Sequence, residues 1–431
     1  MKFIYTLLLS CIALSLFAQR TPAARQSQPI LITGATIHIG NGQVIENGVI
    51  AFEDGSLSIV GDQTAMPTNA EKYQTINASG KHIYPGLIAP NSQLGLVEIG
   101  AVRSTRDSRE VGNLNPNIRS IIAYNTDSKV TPTIRSNGVL LSQITPQGGR
   151  IPGQSSIVEL DGWNWEDAAY ATDDAIHLNW PGLFRRTGWW GEPGPIKKND
   201  KYAEQVRDVK TFMQEAKAYS EMDKSAIKEK NLKFEAMRGL FDGSKNLMIH
   251  ANLVKTIQEA TLLVESMGIQ PIFVGGRDSW MITDFLKKHQ VEIILAPTQD
   301  LPAYEDSDVD QPFKTAGVLQ AAGISFAFSG EGSWQQRNLM FQAGQSVGFG
   351  LDYEAAISAL TLNTAKILNI ADKVGSLETG KDATLIVVAG DVLDMRTNKV
   401  EQAFIRGKQI DLGNKQKDLY KKFEAKYEAQ R

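Results

Sequence analysis

The chain is poor in two side chains that most often carry metal and redox chemistry. Its 431 residues include one cysteine, Cys11, and five histidines: His38, His82, His177, His250 and His289. Cys11 falls within an apolar N-terminal run, Phe3–Phe17, that follows Lys2 and ends at Ala18-Gln19-Arg20. This pattern reads as a secretory leader with cleavage after Ala18. A membrane anchor would need roughly 20 apolar residues. Leu9-Ser10-Cys11 lies mid-run, which argues against lipoprotein anchoring. The processed chain then has no cysteine, which excludes disulfides, thiolate metal sites and a cysteine nucleophile. An exported protein that needs no covalent staples fits a bacterial periplasm.

Strong charge is also absent. The net charge is -3, with 22% charged and 42% hydrophobic residues. Nothing in that balance points to nucleic acid or to acidic lipid. Beyond the leader there is no run that could span a membrane.

The rest of the chain changes texture twice. After a polar linker at 19–28, short apolar segments such as Gly48–Phe52 and Leu57–Val60 are separated by Asn-Gly or Asp-Gly, a strand-and-turn pattern. The same texture returns at Ala383–Val388 and Gln402–Arg406. Two β-rich ends predict one small β-sandwich built from 19–80 and 370–412. The middle, 81–369, alternates strands and helices. Candidate strands are His82–Ile88, Gly138–Ile144, Ser156–Leu160, Leu247–His250, Pro271–Val274, Glu292–Ala296 and Ser325–Phe328. Helical periodicity covers Leu253–Gly268 and Tyr353–Leu368. Repeated β-then-α units predict an α/β fold with a parallel sheet, closed as a (β/α)8 TIM-type barrel with its chemistry at the C-terminal strand ends. A helical insertion is expected over about 185–245, and a charged C-terminal helix over 413–431.

Three segments carry a resemblance. Tyr84-Pro85-Gly86-Leu87-Ile88-Ala89-Pro90 resembles the first barrel strand of the amidohydrolase superfamily, usually Pro-Gly-Leu-Ile-Asp-x-His-x-His. Thr361-Leu362-Asn363-Thr364-Ala365-Lys366-Ile367-Leu368 is similar to its Thr-x-Asn-Pro-Ala-Lys-x-Leu helix. Val374–Ala383 is similar to the turn leading back into the β-domain. The order matches, and the segments frame most of the chain; the imidazolonepropionase-like branch is the nearest in flavour. These motifs fix turns and strand entries, so they speak for fold before chemistry.

The resemblance implies a metal-dependent hydrolase of carbon–nitrogen bonds, with histidine ligands from strands one, five and six and an aspartate from strand eight. Some branches add a strand-four lysine, for which no position is evident here. Asn91 and Gln93 stand at the strand-one ligand positions, and Gly275 with Gly276 at strand six. His250 stands at strand five, and Gly330 or Glu331 at strand eight. Five histidines cannot supply four to one centre when His38 belongs to the β-domain, His82 opens strand one and His289 lies in a connection. A reduced site for at most one divalent cation, zinc or similar, would use His250, Asp278 and Glu331; a metal-free variant would use Glu331 as general base. In the bland alternative, His250 is a satisfied polar residue and Asn91, Gln93 and Gly275 line a pocket at the former ligand positions.

The glycine-rich Gln147–Gln154 segment lacks the ending of a phosphate loop. Trp163, Trp165, Trp180, Trp189 and Trp190 are concentrated in one stretch, as either core or pocket residues. Two functions stay open. One is a hydrolase of non-peptide or small peptide-like amides; the other is a non-catalytic periplasmic binding or assembly protein on the same barrel. Either would take a small-molecule or peptide-like ligand, and homo-oligomerisation is left open.

Overall fold

The computed structural model describes residues 21–429 apart from 190 and 303–305. The expected leader, Trp190 and the final two residues lie outside them. In chain order the strands are β1 (Ile30–His38), β2 (Val44–Glu53), β3 (Ser56–Gly61), β4 (Gln74–Asn77), β5 (His82–Pro85), β6 (Leu87–Ser92), β7 (Val139–Ile144), β8 (Gln154–Glu159) and β9 (Ala169–Asn179). They continue with β10 (Phe184–Trp189), β11 (Glu192–Lys198), β12 (Asn246–Ala251), β13 (Pro271–Gly275), β14 (Glu292–Leu295), β15 (Phe326–Phe328), β16 (Leu385–Val388), β17 (Val400–Ile405) and β18 (Lys408–Gln409).

One eight-stranded sheet draws on both ends of the chain, in the order β18-β17-β16-β5-β1-β2-β3, with β4 also paired to β1. The β2–β3 hairpin turns on Asp54 and Gly55, both at positive φ (50° and 81°). That matches the mirror-image turn favoured by twisted hairpins. Ile32, Ile37, Phe52, Leu57, Leu385 and Phe404 cluster within this sheet, while Leu31, Val49 and Ala51 form a separate, smaller cluster.

The second sheet also has eight strands, in the order β15-β14-β13-β12-β9-β8-β7-β6. It is nearly closed: Gln93 N–H, just past β6, donates to Gly332 O beyond β15 at 3.0 Å. The result is a mixed α/β, barrel-like fold consistent with a TIM-type barrel. Every residue of β6, β7 and β8 is buried, as expected for strands covered on both faces.

Four expectations are corrected. The segment read as one strand, His82–Ile88, is two: β5 belongs to the terminal sheet, and only β6 enters the barrel. His82 is therefore outside the barrel, bonded to His38 at 3.0 Å. Second, the barrel is not all parallel: β8 runs antiparallel to both β7 and β9. The link from β7 to β8 carries no helix, and a parallel neighbour needs a crossover of roughly a dozen residues or more. Third, the insertion begins as an isolated hairpin, β10–β11, before the helices Tyr202–Glu221 and Leu232–Phe241. Fourth, the Tyr353–Leu368 helix breaks at Thr361 (φ -134°, ψ -92°) into Tyr353–Leu360 and Leu362–Ile367. Thr361 bonds its hydroxyl to Ile357 O at 2.7 Å. The helices Val254–Glu265 and Lys415–Glu428 lie where expected.

Ion pairs with buried carboxylates tie the layers together. Glu159 on β8 meets Arg406 at 2.6 Å and Lys408 at 3.2 Å from the terminal sheet. Where β7 begins and β8 ends, Arg135 pairs with Asp161 at 2.7 Å, and Asp161 also accepts Ala23 N–H at 2.9 Å. Replacing Asp161 by alanine would strand the buried guanidinium. Asp161→Ala is expected to cost about 3–5 kcal/mol, read as a lower urea midpoint, with earlier proteolysis around residues 21–23.

Candidate functional site at the barrel mouth

The polar centre of the barrel is built around Gln143 on β7. Its Oε1 accepts Asn91 N–H at 3.1 Å. Its Nε2 donates to Asp174 Oδ2 at 2.7 Å and reaches Ser155 Oγ at 3.1 Å and Met248 Sδ at 3.3 Å. Ser155 Oγ donates to the other Asp174 oxygen at 2.8 Å. Asp174 is placed here by its neighbour. Asp173 adopts a left-handed backbone (φ 56°), which breaks the strand alternation, and Asp173 pairs with Arg119. Burial pushes the Asp174 carboxyl up to about 6, against the hydrogen bonds from Gln143 and Ser155, which favour its charge.

Beside this network two imidazoles meet. The β9–β12 register sets Met248 opposite His177, so His250 lies two residues further toward the mouth. His177 Nδ1 and His250 Nε2 are 3.0 Å apart, with ring centroids at 5.3 Å. Burial lowers His250 to about 4. Burial, and then the neighbouring ring, take His177 well below its ordinary value. Both rings are therefore neutral near pH 7, one nitrogen donating and the other accepting. His177 Nε2 and Asn91 Oδ1 are buried with no hydrogen-bond partner among the described residues.

The residues expected to form a reduced metal site are spread apart. Among the described residues, no three His, Cys, Asp or Glu side chains are grouped so that they could hold a metal ion. His250 faces His177. The Asp278 carboxylate accepts Val254 N–H at 3.3 Å, at the start of the Val254–Glu265 helix, and lines a cavity of about 310 Å³ with Trp280, Met281 and Pro297. Glu331, on a left-handed backbone (φ 47°), lines a separate cleft with Asp300 and Gln342. Burial raises its carboxyl, and Arg277 opposes that shift.

The strand-one pair also departs from its expected geometry. Asn91 has φ 50°, and the β6–β7 register shifts between Ala89 and Ser92. The same-side alternation assumed for positions 91 and 93 is lost, and Gln93 lines yet another cleft, with Arg103, Arg106 and Arg109. At strand six, Gly275 has φ 107°, and a β-carbon there would come within 2.4 Å of Asn252 Oδ1. A histidine there would strain this left-handed backbone and require Asn252 to move. The tryptophans do not share one pocket either: Trp180 is buried and donates to Tyr202 at 3.2 Å, whereas Trp163 and Trp189 are exposed.

Sequence reading counted His177 among the five histidines without giving it a role and did not find Asp174. The Asp173-Asp174 pair inside an otherwise apolar strand was the available signal. The arginine triplet at 103–109 was legible as spacing alone.

A barrel whose strand ends hold polar side chains, joined to a sheet from both termini, defines the architectural class. An amidohydrolase family model matches residues 212–410. An amidohydrolase from Thermotoga maritima MSB8 is similar in structure, with a TM-score of 0.75, 20% identity, and coverage of 89% of this chain and 99% of that one. A putative prolidase from Bifidobacterium longum gives 0.54 at 16% identity, covering 90% and 96%. A Xaa-Pro dipeptidase with methionine bound in its active site gives 0.54 at 15%, covering 89% and 100%. These likenesses establish the fold. None of the curated proteins compared is similar enough in sequence to match.

Two outcomes follow from the geometry. Gly275→Ala forces a β-carbon onto a left-handed backbone against Asn252, and it is expected to cost about 1–3 kcal/mol, measured by thermal unfolding. The second concerns acid. Folding lowers His250 from 6.5 to about 4, so the unfolded chain takes up that proton first as pH falls. The associated stability is complete above pH 6.5 and is lost toward pH 4, by up to about 3 kcal/mol. Asp174, raised from 3.8 to about 6, has the opposite sign, its contribution falling as pH rises through 6. Denaturation of His250→Gln across pH 4–7 is therefore expected to show a flatter acid limb than wild type.

Proposed function

We propose that the chain is an exported member of the amidohydrolase superfamily, with the terminal sheet as its β-sandwich domain. In this reading it acts as a receptor: its barrel mouth takes a small-molecule or peptide-like ligand in place of the superfamily's metal-dependent hydrolysis. One observation carries the reading, the donor set at the strand ends. Amide side chains stand at strand one, a glycine on a left-handed backbone stands at strand six, and the strand-five histidine is hydrogen-bonded to a second imidazole. Such a set does not suit the group that the superfamily's chemistry requires. Export to the periplasm rests on the N-terminal leader pattern.

A second reading is hydrolysis of a carbon–nitrogen bond in an amide or small peptide-like substrate. It is favoured by the family-model match and by Asp174, whose carboxyl titrates near 6 beside two neutral imidazoles. These are the groups in the barrel interior suited to moving a proton near neutral pH.

A panel of amides, dipeptides and lactones, run on leader-free protein with zinc, manganese or iron added, separates the two. The receptor reading expects no turnover above background and no stoichiometric metal after purification. Turnover that disappears in His250→Ala or Asp174→Asn would overturn it in favour of the hydrolase.

A further inference from the structure

We propose that the cleft beside Gln93 binds a multiply charged oxyanion, the anionic end of the ligand taken at the barrel mouth. The link to that ligand rests on the receptor reading above; the charge preference does not.

Arg103, Arg106 and Arg109 follow β6 at a spacing of three, and all line a cleft of about 680 Å³ together with Gln93, Gln147 and Gly149. None of the three guanidiniums has an ion pair or hydrogen bond to a carboxylate among the described residues. Several other arginines are held by carboxylates: Arg119 by Asp173, Arg135 by Asp161 and Arg277 by Asp300. The one carboxylate among the lining residues, Glu110, accepts the neighbouring Val111 N–H at 2.7 Å. Three guanidiniums against one carboxylate leave the cleft with an excess of positive charge, and the planar guanidinium fork matches carboxylate and phosphate oxygens.

The glycine turn packed against Arg109 points the same way. Gly148 and Gly149 have φ 84° and 62°, and neither N–H has a hydrogen-bond partner among the described residues. Flanking bonds from Gln147 N–H to Ser108 O (2.6 Å) and from Arg150 N–H to Asn113 O (2.7 Å) fasten this turn to the arginine loop. A β-carbon on Gly148 would lie 2.4 Å from Arg109 Nε, so the glycine lets the guanidinium approach. Successive unpaired backbone N–H groups in such a turn form an anion-receptive concavity. The cleft thus joins three guanidiniums to a glycine turn whose backbone N–H groups are unpaired among the described residues.

Phosphate and polycarboxylate share this chemistry, and calorimetry with inorganic pyrophosphate and with citrate at low ionic strength distinguishes them. At least one probe is expected to bind with one-to-one stoichiometry, the tighter one naming the class. Arg106→Gln/Arg109→Gln should weaken it at least tenfold with the circular dichroism spectrum unchanged. Arg185→Gln/Arg186→Gln on the β10–β11 hairpin, which does not line the cleft, removes the same charge and should leave affinity unaltered. The proposal is overturned if neither probe binds at millimolar concentration, if the cleft variant binds like wild type, or if the hairpin variant loses as much. The titration needs no turnover. A hydrolase result from the substrate panel would therefore change what becomes of the ligand and leave the anion site standing.

Discussion

The side-chain amide of Gln143 is the constraint on which the barrel interior depends. From β7 it reaches the backbone of β6, a hydroxyl on β8, a carboxylate on β9 and a thioether on β12. One uncharged group thereby connects five of the eight barrel strands. A buried network of this kind is useful only when its members are satisfied, and this one leaves its gaps at the edge, on Asn91 Oδ1 and His177 Nε2. Those two atoms mark where the closely bonded interior gives way to the mouth.

Neutral groups dominate that interior. A charged metal ion would offset several clustered histidines and carboxylates; without such clustering, isolated charges in a barrel are costly. The chain meets this with amides, hydroxyls and imidazoles held below their ordinary titration range. Asp174 is the exception, and it is tempered by two donors and by a carboxyl that titrates close to neutrality. Cations are gathered outside, on the loop after β6, where solvent screens them.

Much of the fold was legible in the sequence. The motifs around Gly86, Thr361 and Gly380 placed the strand entries and the return to the terminal sheet, because turns and strand starts depend on local residue type. Periodicity found the helices Val254–Glu265 and Lys415–Glu428. Strand direction was not legible at β8: a fully buried strand reads the same in either orientation, and only the helix-free link betrays the reversal. The break at Thr361 contains no glycine or proline and arises from a hydroxyl bonding back to its own helix. At the site, the losses at Asn91, Gln93 and Gly275 could be read from residue type alone. The separation of His250, Asp278 and Glu331 could not, since one strand, β12, and two different strand-end loops set it. The His177–His250 contact depends on inter-strand register, and Asp174 faces inward only because Asp173 has a left-handed backbone.

The composite sheet has a consequence for biogenesis. β5 is paired on one side by β1 and on the other by β16, and more than half the chain separates it from β16. Until the last part of the polypeptide is made, β5 has an open edge that invites pairing with another chain. The N-terminal segment therefore cannot complete its own sheet early. A truncated product would keep that edge exposed and be prone to aggregate.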